Sequence, residues 1–372
     1  MPEFVIHIGP HKTGTTYLQL HFRAMRAALE ERGIVFPEFW ELAPGNPSQL
    51  PLMHQLRAGQ LEQLRPRFAE LLASGAERIL LSSEDLSNLE PPAIELLHAL
   101  IAGNKVQIVF YLRRWSELVP SSWQEGIKQG QFRNLPEFIL SHIQKPQLSR
   151  LMNFDLKLSR FAAVFGADSI KLVSYSELRD RNIDLFRHFA ASFLDWPDAD
   201  VRRKLTSPNS SRTPENAELL RVVNAMTAQR GFTPNSLLRR RVDVHRHQLD
   251  LEPVLTAMRN HQRTVHFNDS GTALRDLHRT LMQAHIGQVV EPRRNKLLFR
   301  PRSANLAYID GDYQLEPGVL TALNAILDRL AEIEKEASPG ALPLEPAGDR
   351  PLDPDFVGSE VEIDTEAETL DL

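Results

Sequence analysis

Phe4-Val5-Ile6-His7-Ile8-Gly9-Pro10-His11-Lys12-Thr13-Gly14-Thr15-Thr16 decides the reading of this chain. Five apolar or aromatic residues in a row, stopped by a glycine, mark a buried strand. From Thr15 the pattern turns helical: Tyr17, Leu18, Phe22, Met25 and Leu29 recur at three- and four-residue spacing up to Gly33. Strand, tight glycine turn and helix start together expect a cradle of backbone N–H groups at the positive end of a helix dipole, an anion site suited to phosphate or sulfate. A triphosphate loop needs lysine directly after its second glycine and then Ser or Thr. Here Thr15 follows Gly14, and Lys12 stands two residues before it. A cation on the ascending side of the turn suits a shorter anion.

Further along, strand-like runs alternate with helical ones. Gly33–Phe36 is β-like and ends at Pro37, residues 51–74 read as one or two helices, and Arg78–Ser83 reads as a strand. A helix is expected after Pro91-Pro92. Val106–Leu112 reads as a buried strand followed by a helix to about residue 129, and Ile170–Tyr175 as a strand before the helix Ile183–Phe193. Such alternation predicts an α/β fold of three αβα layers with a mostly parallel central sheet, P-loop-like, and a helical C-terminal half. Ligands in such sheets lie beyond the carboxyl ends of the strands, where every motif singled out here falls. One α/β domain is expected over 1–336, its core about 1–200 and a helical basic extension about 200–336. A last helix is expected over about 316–336, and 337–372 reads as an acidic, disordered tail.

With 372 residues, the soft prior is two domains or one large elaborated domain. The formal charge of −5 conceals an asymmetry, because residues 341–372 carry ten acids against one arginine. Residues 201–300 hold eighteen Lys and Arg against eight Asp and Glu. The overall balance gives no sign of a nucleic-acid partner. There is no cysteine, which excludes disulfides, thiolate nucleophiles and Cys-based metal sites and fits a reducing compartment. Met1–Gly14 reaches its glycine turn too early for a signal peptide, and no apolar run is long enough to span a bilayer, so a soluble cytoplasmic protein is expected.

The strand followed by Lys12-Thr13-Gly14-Thr15-Thr16 resembles the 5′-phosphosulfate loop of sulfotransferases that use 3′-phosphoadenosine-5′-phosphosulfate (PAPS), and His7–Gln19 is similar to bacterial members of that superfamily. The resemblance covers roughly the first 195 residues by motif order. It implies that Lys12, Thr13, Gly14, Thr15 and Thr16 bind the donor. It further implies that Arg113, ending the central strand, and Ser121, eight residues on, bind the 3′-phosphate. Trp115 stands where the family often has proline, and Arg114 and Ser122 leave a register one residue later open. Leu172–Leu178 resembles a V-x-Y-E-D-L element and is read as structural.

The resemblance implies sulfuryl transfer from PAPS, as donor substrate, to a hydroxyl acceptor, a carbohydrate or glycolipid. Lys12 is the counter-charge for the leaving phosphate. Because the sulfuryl group is a monoanion, no Mg²⁺ need be invoked. For the base, Glu84 at the end of the Ile79–Ser83 strand is preferred, since burial can raise a carboxylate toward neutrality. A helix-capping role for Glu84 is the plain alternative. His11 is the second choice, as base or as donor to the phosphosulfate, whereas His7 reads as a buried core histidine. Trp123, Gln124 and Lys128 either face the acceptor or belong to the core. The basic stretch, through Ser207–Arg212, either closes over the nucleotide or attracts an anionic acceptor. Two other functions stay open: a nucleotide kinase or ATPase, disfavoured by the displaced lysine, and a non-catalytic anion- or partner-binding protein with a relic loop.

Overall fold

The computed structural model describes residues 1–42, 46–199, 212–231, 241–285, 288–292 and 299–337. The chain has a mixed α/β fold around a parallel sheet. Its strands are β1 (Glu3–His7), β2 (Ile34–Val35), β3 (Arg78–Ser82), β4 (Lys105–Leu112), β5 (Ile170–Ser174) and β7 (Val289–Val290), in the order β2-β3-β1-β4-β5-β7. Every adjacent pair is parallel, with His7 beside Ser82 on one side and Val109 on the other, and Leu112 beside Ser174. A separate two-stranded sheet pairs β6 (Gln262–Asn268) with β8 (Ser303–Ile309).

The central strands are buried at successive positions. Val5, Leu80, Val109, Tyr111 and Val173 pack with Leu18, Phe22, Phe186 and Phe189 on one face. Phe4, Ile6, Ile79, Leu81, Ile108, Phe110 and Leu172, one register away, are equally closed to solvent. Side chains alternate along a strand, so burial at every position means both faces are covered, as a three-layer αβα architecture requires.

The chain divides into two compact units. The described residues of the first fall within Met1–Leu118, Asn153–Ser210 and Phe267–Ala304, and those of the second within Val119–Met152, Ser211–His266 and Asn305–Leu372. The core of the second is helical: Leu219, Val222 and Val223 pack with Val254, Leu255, Met258, Leu323, Ile326 and Leu330.

Most expected elements appear within a residue or two. The helix expected from Thr15 to Gly33 breaks into Thr15–Ala24 and Arg26–Glu30 at Met25, and residues 51–74 form two helices, Leu50–Arg57 and Leu61–Ala73. The stretch 200–300, read as helical, also contains β6 and β7. The final helix is Val319–Ala337. The expected tail beyond Ala337 lies outside the described residues. Among the described residues, no helix is long and apolar enough to cross a membrane.

Candidate functional site

All site features of the first unit converge at one edge, the carboxyl ends of β1, β3, β4 and β5. After β1 the chain turns through Gly9 to Gly14 into the helix Thr15–Ala24. Gly9 has φ 92° and lies so close to the end of β3 that an added Cβ would sit 2.7 Å from the Cα of Glu84. Gly14 caps the helix at φ 82°, where a Cβ would meet Leu185 at 2.5 Å and the Tyr175 ring at 3.2 Å. Neither position has room for a side chain, and both use the left-handed region that glycine tolerates.

Lys12 is also left-handed, at φ 67°, an uncommon conformation for a residue with a side chain. Left-handed residues such as Lys12 and Gly14 are the backbone elements from which anion-binding nests of N–H groups are built. No side chain caps the following helix. Among the described residues, the N–H groups of Gly14, Thr15 and Thr16 meet no acceptor. Thr13 Oγ1 donates to the Pro10 carbonyl at 2.6 Å, and Thr15 Oγ1 reaches the same oxygen at 3.4 Å, so these hydroxyls brace the loop. Thr16 is exposed.

β4 delivers Arg113 to this loop. Its Nη1 donates to the Lys12 carbonyl at 2.6 Å, its Nε to Glu117 at 3.4 Å, and its guanidinium lies 5.6 Å from the centre of the Tyr175 ring. The alternative register through Arg114 is closed. Arg114 is fully buried and its donors go to Glu117 at 3.0 Å, Glu177 at 3.4 Å, Asp180 and the Arg300 carbonyl. Ser121 is half-buried on the helix Trp115–Lys128, in the portion belonging to the second unit. Trp115 is buried beside Phe154 and Phe299, a packing role.

β3 ends in a short 3₁₀ turn, Glu84–Asn88, which brings two carboxylates to the loop. His11 lies between them, Nδ1 at 3.6 Å from Glu84 Oε1 and Nε2 at 3.1 Å from Asp85 Oδ1. Gln19 donates to the Ser82 carbonyl at 3.1 Å and approaches Glu84 Oε2 at 3.5 Å. Burial opposes a charge on His11, yet the hydrogen bond to Asp85 and the charges of Glu84 and Asp85 prevail over it and over Lys157, raising its pKa to about 9. Burial likewise raises the Glu84 carboxyl above its ordinary range, against the pull of His11. Such a pair sets a histidine that holds its proton tightly beside a carboxyl of enhanced proton affinity.

His7 behaves as a core residue. It is fully buried, Nδ1 sits 2.9 Å from Ser82 Oγ, and burial depresses its pKa to about 3. In the second unit, Trp123 is core as well, with its indole N–H on the Arg133 carbonyl at 2.8 Å. Gln124 holds the backbone of Arg212 through both its amide groups, at 3.2 Å each, and Lys128 is buried beside Glu125. Ser207–Ser211 lie outside the described residues. Asp85 and Tyr175 contribute to the site although neither was singled out for it. Asp85 stands beside Glu84 in sequence, but its pairing with His11 spans 74 positions.

No protein-family model matches the chain, and no curated protein matches it. A solved structure described as a sulfotransferase from Alicyclobacillus acidocaldarius is similar to it at 15% identity and a TM-score of 0.34, covering 62% of this chain and 93% of that one. At that distance the likeness carries no functional argument.

Proposed function

We propose that the chain is a sulfotransferase that moves a sulfuryl group from PAPS to a hydroxyl acceptor of carbohydrate or glycolipid type, on a P-loop-like scaffold. The observation that carries the reading is the 2.6 Å hydrogen bond from Arg113 to the Lys12 carbonyl. It joins the guanidinium of the central strand to an uncapped amide loop, so that one nucleotide bearing two separate anionic groups meets both. The displaced lysine favours a phosphosulfate over a triphosphate.

In this reading the N–H groups of Thr13, Gly14, Thr15 and Thr16 bind the 5′-phosphosulfate, and Arg113 the 3′-phosphate. Glu84 accepts the acceptor's hydroxyl proton as the new O–S bond forms. The S–O bond to the nucleotide phosphate breaks, and Lys12 neutralises the charge arriving on that oxygen. His11, held as imidazolium, adds a second positive charge beside the loop instead of acting as base. The products are a sulfate monoester and adenosine 3′,5′-bisphosphate.

Incubation with PAPS and a panel of hydroxylated sugars and glycolipids should release adenosine 3′,5′-bisphosphate together with a sulfated product. Tight nucleotide binding without turnover on a broad panel would place the protein among non-catalytic anion binders. Phosphoryl transfer from ATP with Mg²⁺, and none from PAPS, would make it a kinase.

A further inference from the structure

Three arginines of the first unit gather on one carboxylate. Glu117 Oε2 accepts from Arg113 Nε at 3.4 Å, Arg179 Nη1 at 3.3 Å and Ser176 Oγ at 3.2 Å, while Oε1 accepts from Arg114 Nη1 at 3.0 Å. The three guanidinium groups are not equivalent. Arg114 is sealed, with its donors spent on Glu117, Glu177, Asp180 and the Arg300 carbonyl. Arg113 and Arg179 hold Glu117 only by long contacts. Among the described residues, Arg113 Nη2 and Arg179 Nε and Nη2 meet no acceptor.

These two forks also share a ring, their central carbons 5.6 and 5.9 Å from the centre of Tyr175. Tyr175 in turn lies against Gly14 of the anion loop. Arg179 has a side chain 54% exposed, so a ligand can reach it, whereas Arg113 is mostly buried. Burial lowers the pKa of Arg113 and the nearby charge of Arg179 lowers it further, against the support of Tyr175 and Glu117. The neighbouring cations Arg302 and Arg181 pair with Asp180 and Glu177. Two guanidinium forks that share one carboxylate and keep open donors are matched by a dianion with several acceptor oxygens. A phosphate monoester, carrying about −1.5 to −2 at neutral pH, is such a group.

We propose that Arg179 is a specificity-determining residue, forming with Arg113 the seat for a nucleotide's phosphate monoester while Glu117 keeps the two forks aligned. The proposal rests on the sulfotransferase reading, in which that monoester is the 3′-phosphate. No motif of the sequence points to Arg179.

Titration calorimetry on the full chain, at one fixed ionic strength, tests it with adenosine 3′,5′-bisphosphate and adenosine 5′-monophosphate. The unaltered protein should prefer the bisphosphate by about 10-fold or more, and Arg179→Ala should lose about 10-fold of bisphosphate affinity with the monophosphate nearly unaffected. Arg179→Lys should recover part of the loss, since lysine supplies charge without the planar fork. Equal weakening of both ligands in Arg179→Ala, or of neither, overturns the seat and leaves the sulfotransferase reading standing. An unaltered protein that ignores the 3′-phosphate overturns that reading and the seat together. Melting curves check that both variants fold, as expected for a half-exposed side chain.

Discussion

Lys12→Ala and Lys12→Gly should each lower kcat/KM for PAPS-dependent transfer by about 10²–10³-fold, the usual cost of removing one group aimed at developing charge. The two variants should differ in stability. Lys12 sits at φ 67°, where an L-residue with a Cβ is strained by about 1–2 kcal/mol. Alanine keeps the Cβ and the strain; glycine removes both. Lys12→Gly should therefore melt at the same temperature as the parent or higher, and Lys12→Ala should not gain. Steady-state kinetics and melting curves on one set of samples separate lost chemistry from lost folding. A Lys12→Gly protein that is stable and fully active would show that the ammonium has no part in transfer.

Glu84→Gln should lower kcat by about 10²–10⁴-fold, the range for a general base. Its pH behaviour is the more discriminating readout. Burial lifts the Glu84 carboxyl above its ordinary 4.5, so activity in the parent should rise with pH through that displaced value. The alkaline limb belongs to His11, whose imidazolium is lost as pH rises through about 9. Glu84→Gln should abolish the acid limb and leave the alkaline one, whereas His11→Asn should do the reverse. The sign for stability follows the same linkage. The folded pKa of His11 lies above its ordinary 6.5, so its contribution to folding is complete below 6.5 and disappears as pH climbs through about 9. An acid limb retained in Glu84→Gln would transfer the role of base to another group.

The parts of the fold that were legible in the sequence are those where local pattern and tertiary burial agree. β1, β3, β4 and β5 are apolar runs closed by glycine, polar or charged residues, and parallel strands covered on both faces must read that way. The turn from Gly9 to Gly14 was legible because left-handed backbone leaves its mark as glycine. β6 was not. Of Gln262–Asn268 only Phe267 is buried, so the strand carries almost no hydrophobic signal. β7 has two residues, too few for any periodicity.

The site divides along the same line. Lys12, Glu84 and Arg113 end strands or sit in the glycine turn, positions that topology alone brings to one edge. Asp85 on His11, and Tyr175 between Gly14 and Arg113, are contacts that depend on packing between distant segments and have no local signature. Trp123 shows the converse. An aromatic ring beside Gln124 suited a sugar platform, but its burial, with the indole N–H on the Arg133 carbonyl, makes it a core residue.

In the sulfotransferase reading, Lys12 ahead of the second glycine and Arg113, bound to the Lys12 carbonyl, should together select a 3′-phosphorylated nucleotide over a triphosphate. Calorimetric titration of the full chain with adenosine 3′,5′-bisphosphate, and in parallel with ATP and Mg²⁺, tests it most directly. The bisphosphate should bind markedly tighter than ATP; equal or tighter binding of ATP would remove the 3′-phosphate preference and the reading built on it.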